Sequence, residues 1–76
     1  MSASVKYVPV SKIRKQTDLE THVRLVEVDN IKFLELMDYI PSLSQYGRGY
    51  YMPYDSDVLT ELISALVAVV EGDVKI

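Results

Sequence analysis

Residues 31–40 read IKFLELMDYI and carry the clearest β-strand pattern in the chain. Successive side chains of a strand point to opposite faces of its sheet. Leu34 and Leu36 therefore share one face, which suits a hydrophobic core. The other face is amphipathic and aromatic, and it carries Phe33, Glu35, Met37 and Tyr39. The pattern predicts a sheet with one packed face and one face free to touch something.

The segment before this strand, Thr21 to Asp29, predicts a second strand joined to it by a hairpin turn. Asp29 and Asn30 both tolerate left-handed backbone angles, which suit a two-residue hairpin turn. The alternation of apolar and polar residues breaks at Leu25-Val26, where two apolar residues adjoin. We predict a β-bulge there, because a bulge would reconcile the two halves.

Further upstream, Val5 to Val10 predicts a first strand of β-favouring residues. Pro9 lies within it and cannot donate to a strand ladder, which indicates an edge strand or a bulge. Ser11 to Glu20 is polar and basic and has no clear period. We predict a loop or a long flexible hairpin arm for that segment.

Downstream, Pro41 ends the central strand, and Ser42 to Tyr46 is predicted to form a loop. Gly47-Arg48-Gly49 predicts a flexible link rich in donors. A short fourth strand, Tyr50 to Met52, follows and stops at Pro53. The parity of this strand does not sort Tyr50 from Tyr51, so either ring could face a ligand or the core.

A single helix closes the chain. Asp55 or Ser56 caps it, and Asp57 lies in its first turn, where a negative charge is favoured. The helix is predicted to run to about Glu71, and Gly72 fits the left-handed position after its end. Four strands followed by one helix give a ββββα arrangement, which belongs to the α+β class.

The helix is more apolar than one sheet requires. A helix packed on a sheet needs one apolar stripe, whereas Val58, Ala65 and Val69 extend the apolar surface round this helix. We predict a homodimer, because burying about 400 Å² of extra apolar area would contribute on the order of 10 kcal/mol before association costs. The alternative is a core of one sheet and one helix, in which the valines at the end of the helix pack irregularly. The predicted interface comprises Leu59, Leu62, Ile63, Leu66, Val67 and Val70.

Length and composition also favour a dimer of one small domain, residues 1–76. A chain of 76 residues is marginally stable alone and usually needs disulfides, a metal or a partner. It has no cysteine and a single histidine, so we expect neither disulfides nor a metal site. No segment approaches the roughly 18 apolar residues of a membrane span, and no signal peptide is visible, so we expect an intracellular protein.

Charge is unevenly distributed along the chain. The net charge of −3 taken alone argues against a nucleic-acid binder. Residues 1–32, which form most of the predicted strands, have a balance of +2, and residues 33–76 have a balance of −5. One face of the sheet could therefore be positive, although a mixed solvated surface is the simpler alternative.

The residues that catalysis would need are poorly represented, so we expect neither an enzyme nor a cofactor. His22 lies beside Arg24 with no sign of an orienting acid. The glycines at 47 and 49 do not form a phosphate-binding loop. Glu35 and Asp38 project to opposite faces of one strand and cannot act as an acid–base pair.

Aromatic and basic residues interleaved on strands are typical of proteins that bind single-stranded nucleic acid. Cationic side chains contact phosphates, and flat rings stack on bases for about 1–3 kcal/mol each. The chain has six tyrosines and one phenylalanine, a high number for its length. The alternative is that some rings fill the core or the dimer interface. The candidate nucleic-acid-binding residues are Lys6, Lys12, Arg14, Lys15, His22, Arg24, Lys32, Phe33, Tyr39, Tyr46, Arg48 and Tyr51.

Three segments followed by an acid-capped apolar helix resemble the positive cofactor 4 family of single-stranded DNA-binding transcriptional coactivators. The segments are Val23 to Val28, Phe33 to Ile40 and Gly47 to Met52. The resemblance covers about residues 5–70. It implies a curved four-stranded antiparallel sheet, a homodimer whose helices pair, and channels that bind single-stranded or melted DNA. The compact chain is similar to a phage or bacterial member, which implies a role in transcription, replication or recombination in the cytoplasm or nucleoid of the cell.

The resemblance also assigns roles by position. Arg48 stands where the family has a DNA-contacting lysine, and Arg24 and His22 stand where its second strand has basic residues. Ile40 and Met37 depart from a stacking aromatic and a contacting arginine. The Lys12–Lys15 arm and the tyrosines would compensate for these departures.

A second class of function is a dimerisation and protein-interaction module that binds no nucleic acid. The net charge of −3 supports it. Oligonucleotide titration at two salt concentrations separates the two classes, because only a nucleic-acid binder loses affinity as salt rises.

Overall fold

The computed structural model describes residues 4–74 and 76. It shows an α+β fold of four antiparallel strands in one sheet, in the order β1-β2-β3-β4, followed by a single helix. This confirms the ββββα prediction. Within these residues no helix combines the length and apolar character needed to cross a membrane. The elements are β1 Val5–Gln16, β2 Leu19–Val28, β3 Ile31–Ile40, a short 3₁₀ turn Pro41–Leu43, β4 Gln45–Pro53 and α1 Ser56–Val70.

Two tight turns make the first three strands a meander. Asp29 and Asn30 have φ angles of 50° and 70°, so the predicted hairpin turn is confirmed. The predicted loop over Ser11 to Glu20 is wrong, and the structure agrees with the alternative of a long hairpin arm: β1 runs on to residue 16, and β2 begins at residue 19. Lys12 pairs with His22 in this extension, and the ladder satisfies backbone groups that a loop would leave to water.

The strand irregularities lie elsewhere than predicted. The register of β2 is continuous with both neighbours at Leu25-Val26, so no bulge occurs there. Two apolar residues adjoin at that point because β2 is apolar on both faces there: Val26 is buried on one face, and Leu25 is half-buried on the other. The extra residues lie instead on β1, at Val10 and Lys15, next to the edge position that Pro9 indicated.

The fourth strand is longer than predicted, because β4 takes in the segment that was expected to be loop and link. A bulge on β4 sets Gly47 and Arg48 against the single residue Asp38. Gly49 lies opposite Met37, whose thioether occupies the place that a Cβ at residue 49 would take. The glycine is therefore explained by close packing within a strand rather than by flexibility.

The register sorts the side chains onto two faces of the sheet. The bulge on β4 settles the position that parity left open, since Tyr51 pairs with Glu35 and Tyr50 pairs with Leu36. The face that we call the aromatic face carries Tyr7, His22, Arg24, Phe33, Glu35, Tyr39, Tyr46 and Tyr51. The opposite face, here the aliphatic face, carries Val8, Val23, Leu25, Leu34, Leu36, Tyr50 and Met52.

Helix α1 begins and ends as the sequence predicts. The Asp55 side chain caps it by accepting hydrogen bonds from the backbone N–H groups of Asp57 and Val58, at 2.9 and 3.1 Å. Gly72 follows its end with φ 79°. The helix packs along none of the described strands. The radius of gyration is accordingly 14.8 Å, whereas a compact domain of this length is expected to have about 11 Å.

Acid unfolding should depend on Asp18, which ties the β1–β2 turn to the 3₁₀ turn. Its carboxylate accepts from the backbone N–H of Ser42 at 2.9 Å and from the Ser42 hydroxyl, and these bonds lower the pKa of Asp18. A lowered folded-state pKa gives stability that is present above the ordinary value near 4 and is lost as pH falls below it. We expect Asp18→Asn to be less stable at pH 7 and to show a flatter loss of stability from about pH 5 downward, in denaturant titrations across pH.

Two comparisons check this expectation. Ser42→Ala removes the hydroxyl donor and should flatten the acid limb in the same direction. Asp38 has a lowered pKa from its hydrogen bonds with Lys15 and Thr21, so some acid dependence should remain in both variants. An acid limb that Asp18→Asn leaves unchanged would contradict the assignment.

Candidate nucleic-acid interface

The aromatic face contains an open hollow of about 750 Å³. Residues from all four strands line it, so this part of the sheet is concave. Tyrosine rings and cationic side chains form much of its wall, and none of the described residues that line it is acidic. Its aromatic and basic lining residues are Tyr7, Lys12, His22, Arg24, Tyr39 and Tyr46.

Arg24 organises the centre of the hollow. Its guanidinium carbon lies 4.4 Å from the centroid of the Tyr7 ring and 5.0 Å from that of the Tyr46 ring. Its Nε donates to Oε1 of Glu35 at 2.6 Å, and its Nη2 contacts the same carboxylate. Glu35 is only 3% exposed. The Arg24 guanidinium thus contacts two rings on the same face, one from each edge strand of the sheet.

His22 locks a second group of rings beside this pair. Its ring stacks on Tyr39 at 4.6 Å and meets Tyr46 edge-on at 5.4 Å. Its two nitrogens are engaged by the Tyr46 hydroxyl at 3.2 Å and by a Glu20 carboxylate oxygen at 3.0 Å. The histidine is buried, so it positions the tyrosines and offers little surface of its own.

Phe33 and Tyr51 form a separate aromatic pair on the same face. Their ring centroids are 5.2 Å apart at an interplanar angle of 81°. The negative charge of Glu35 raises the pKa of Tyr51, and a hydrogen bond to the same carboxylate adds to the effect. The shift widens the alkaline range over which the Tyr51 ring at the surface is neutral.

Two cations on the aromatic face remain available to a ligand. Lys12 and Arg14 follow the bulge on β1 and pair in register with His22 and Glu20. Both side chains are exposed, and neither forms an ion pair with any residue that the structure describes. They place positive charge next to the exposed rings of the hollow.

The structure brings eight of the twelve predicted residues to this face and the other four to the aliphatic face. Lys15 pairs with Asp38 at 3.0 Å, and Lys6 lies 3.8 Å from Glu27. Lys32 is opposite Glu27 in register. Arg48 lies beside Asp38, Leu36 and Tyr50. Lys6, Lys15, Lys32 and Arg48 therefore do not share a face with the other eight candidate residues.

Sequence reasoning missed Tyr7 and the central role of Glu35. Tyr7 is an exposed ring on an edge strand, and the residues around it in the sequence gave no sign that it would contact Arg24. A signal for Glu35 was present: counting back from the turn at Asp29-Asn30 pairs residue 35 with residue 24. A carboxylate opposite an arginine in a hairpin predicts a cross-strand ion pair.

The described residues show no group of three or more His, Asp or Glu side chains that could hold a metal ion. The exposed side chains of Tyr7, Tyr46 and Lys12 offer stacking and charge pairing on this face. Comparison with family models, with curated proteins and with solved structures finds no match to this chain.

Proposed function

We propose that the protein is a non-enzymatic single-stranded DNA-binding protein that acts as a homodimer, as its resemblance to the positive cofactor 4 family implies. The observation that carries this proposal is the hollow on the aromatic face. It combines exposed tyrosine rings with Lys12, and Arg14 lies further along β1 on the same face; among the described residues neither cation forms an ion pair. Single-strand binders use this combination, because rings stack on bases of any sequence while cations follow the phosphates.

Each acidic residue that the described strands place on the aromatic face has a basic side chain as its partner. Glu35 is buried against Arg24, and Glu20 is engaged with His22. Tyr7 and Tyr46 remain 54% and 42% exposed, so their rings are open to bases. The local surface is thus suited to a polyanion although the whole chain has a net charge of −3.

The exposed surface of one subunit supports the dimer. Its accessible area is 6278 Å², whereas a compact monomer of this mass is expected to expose about 4,700 Å². The apolar stripe of α1 accounts for part of the excess, since Ile63, Leu66 and Val70 are 60%, 56% and 85% exposed. Contiguous apolar surface of this kind is typical of an interface.

The setting of this function follows from the family resemblance. A binder of exposed single strands would act in transcription, replication or recombination, within the cytoplasm or nucleoid of a bacterial cell or of a phage-infected host. RNA or melted duplex could occupy the same hollow, because ring stacking and phosphate contacts do not depend on the sugar.

Titration with a fluorescent single-stranded oligonucleotide at several salt concentrations tests the proposal. We expect affinity to fall with salt by a log–log slope of about −0.7 for each phosphate neutralised. Lys12→Ala should make that slope shallower by about 0.7, because one phosphate then has no cation opposite it. Lys6→Ala is the matched control, because it removes the same charge from the same strand on the opposite face.

The rings have their own control. Tyr7→Ala should weaken binding by roughly 5- to 100-fold, which is the worth of stacking one base on one ring. Tyr7→Phe should keep most of the affinity because it keeps the ring. Mass measured in parallel shows whether the variants stay dimeric. A wild-type protein that binds no oligonucleotide at low salt would reject the proposal and leave the protein-interaction module as the function.

A further inference from the structure

We propose that His22 is a positioning residue for the ligand: its protonation state decides whether the Tyr46 hydroxyl accepts a hydrogen bond from the bound strand or donates one to it. This inference rests on the proposed function and specifies how the hollow contacts its ligand. Binding should then respond to pH through one buried side chain.

Glu20, His22 and Tyr46 form a chain of hydrogen bonds at the wall of the hollow. A carboxylate oxygen of Glu20 lies 3.0 Å from Nε2 of His22, and Nδ1 of the same ring lies 3.2 Å from the Tyr46 hydroxyl oxygen. An ionised carboxylate can only accept hydrogen bonds, so the Nε2 that faces it must carry a proton. In a neutral imidazole Nδ1 is then an acceptor, and the Tyr46 hydroxyl donates its proton to it.

The neutral imidazole therefore leaves Tyr46 without a proton to offer to a ligand. Its oxygen still has a lone pair, which can accept from an N–H group of a base but not from a phosphate, which has only acceptors. Protonation of His22 reverses this arrangement, because both nitrogens of an imidazolium are donors. Nδ1 then donates to the Tyr46 oxygen, and the hydroxyl proton is free to be donated to a phosphate or carbonyl oxygen of the ligand.

The surroundings of His22 suit both states of the ring. The titratable and charged groups around it on the aromatic face come from all four strands: Lys12 and Arg14 from β1, Glu20 and Arg24 from β2, Glu35 and Tyr39 from β3, and Tyr46 from β4. Of the two acids, Glu35 is paired with Arg24, so Glu20 is the carboxylate that His22 contacts. The face of the Tyr39 ring, stacked at 4.6 Å, can lie against an imidazole or attract an imidazolium. The change thus moves a proton and requires no movement of the strands.

Tyr46 is the group that can pass this change to a ligand. It lines the hollow and is 42% exposed, whereas His22 is 7% exposed. The buried imidazole has little surface with which to touch a bound strand. Its protonation state therefore acts through the tyrosine hydroxyl to which it is bonded.

Nitrogen-15 NMR of the histidine tests the proton arrangement in the absence of ligand. The chain contains one histidine, so its ring signals need no further assignment. At about pH 8, the upper end of the usual range for histidine titration, we expect a ring protonated on Nε2 with a hydrogen-bonded, unprotonated Nδ1. In Tyr46→Phe the Nδ1 signal should move to that of a nitrogen without a hydrogen bond. A ring protonated on Nδ1 would overturn the inference, because the Tyr46 proton would then be free already.

Titration with a fluorescent oligothymidine at about pH 7.5 and about pH 5.5 tests the consequence for binding. Thymine keeps its protonation state over this range, and carboxylates and tyrosines ordinarily titrate near pH 4 and near pH 10. We expect affinity to rise about 10-fold at the lower pH, the worth of one hydrogen bond to a charged group. Tyr46→Phe keeps the ring and should lose most of this rise. Tyr50→Phe is the matched control, because it removes an exposed hydroxyl from the same strand on the opposite face and should retain the rise.

His22→Gln separates the charge of the ring from its hydrogen bonds. A glutamine amide can donate to Glu20 and accept from Tyr46, but it takes up no proton, so this variant should show no rise at the lower pH. Tyr46→Phe makes the same distinction if His22→Gln does not fold. A wild-type affinity that is equal at the two pH values, or a rise that survives in Tyr46→Phe, would overturn the inference and leave the proposed function in place. A wild-type protein that binds no oligothymidine at either pH would overturn both.

Discussion

Arg24→Met is expected to lower the free energy of unfolding by about 3–5 kcal/mol, the typical cost of removing one partner of a buried ion pair. Glu35 is 3% exposed and has Arg24 as its ion-pair partner. The variant therefore leaves a buried carboxylate without a counter-charge. It also removes the cation that lies between the Tyr7 and Tyr46 rings.

A double variant separates the contribution of the Arg24–Glu35 charges to stability from that of side-chain packing. Arg24→Met combined with Glu35→Leu should regain most of the stability that the single variant forfeits, because two apolar groups of similar volume can replace a buried pair at little cost. The measurement is urea unfolding at one fixed protein concentration, since the stability of a dimer depends on concentration. Equal destabilisation in the single and double variants would contradict the role assigned to the pair.

An exposed ion pair provides the control. Lys6 and Glu27 lie 3.8 Å apart, and the Lys6 side chain is 72% exposed. Lys6→Met should cost no more than about 1 kcal/mol, as solvent-exposed pairs do. In the double variant at residues 24 and 35, oligonucleotide affinity should stay low although stability returns, because the rings of the hollow no longer have the group that spaces them.

The sequence predicted correctly those elements whose signal lies within a few neighbouring residues of the chain. Residues 31–40 alternate cleanly and form β3 with the same bounds. Asp29-Asn30 forms the turn, Asp55 caps the helix and Gly72 follows it, because each position needs a particular backbone angle or side-chain acceptor.

The sequence did not predict the full lengths of β1 and β4, because both strands contain bulges. Val10 and Lys15 are extra residues on β1, so alternation fails along that strand although pairing continues to residue 16. The bulge at Gly47-Arg48 has the same effect on β4. A bulge turns the side chains after it to the other face, and its position depends on the partner strand rather than on local propensity.

The same bulges explain how much of the candidate site could be predicted. The rings of β3 and the candidate residues of β2 lie on the predicted face. The alternation along each strand and the position of the turn at Asp29-Asn30 are sufficient to assign that face. Lys15 and Arg48 lie at bulges and went to the other face. Lys32 could have been excluded from the sequence, since it shares the parity of Leu34. Tyr7 contacts Arg24 as a diagonal neighbour on the adjacent strand, so predicting this contact requires the register of β1 against β2.

The helix carries the other large expected effect. Ile63→Asp combined with Leu66→Asp should abolish dimerisation, raising the dissociation constant at least about 1,000-fold, which corresponds to about 4 kcal/mol. Both side chains are more than half exposed in one subunit, at 60% and 56%. The substitutions therefore cost little within an isolated subunit, and the effect arises where two new carboxylates would have to be buried in an apolar interface.

Sedimentation equilibrium measures the dimer, and far-ultraviolet circular dichroism reports what becomes of the helix. A helix of 15 residues is marginal in water without tertiary contacts, so the monomeric variant should also lose helical signal. Ser64→Asp adds a carboxylate to the same helix away from the apolar stripe and should leave the mass unchanged. If the double variant stayed dimeric with full helical signal, α1 would not lie in the interface. The dimer would then have to bury a different part of the subunit's exposed surface. If the double variant became monomeric and lost its helix together, folding of α1 and assembly of the dimer would be one event, as expected for a helix that packs along none of the described strands.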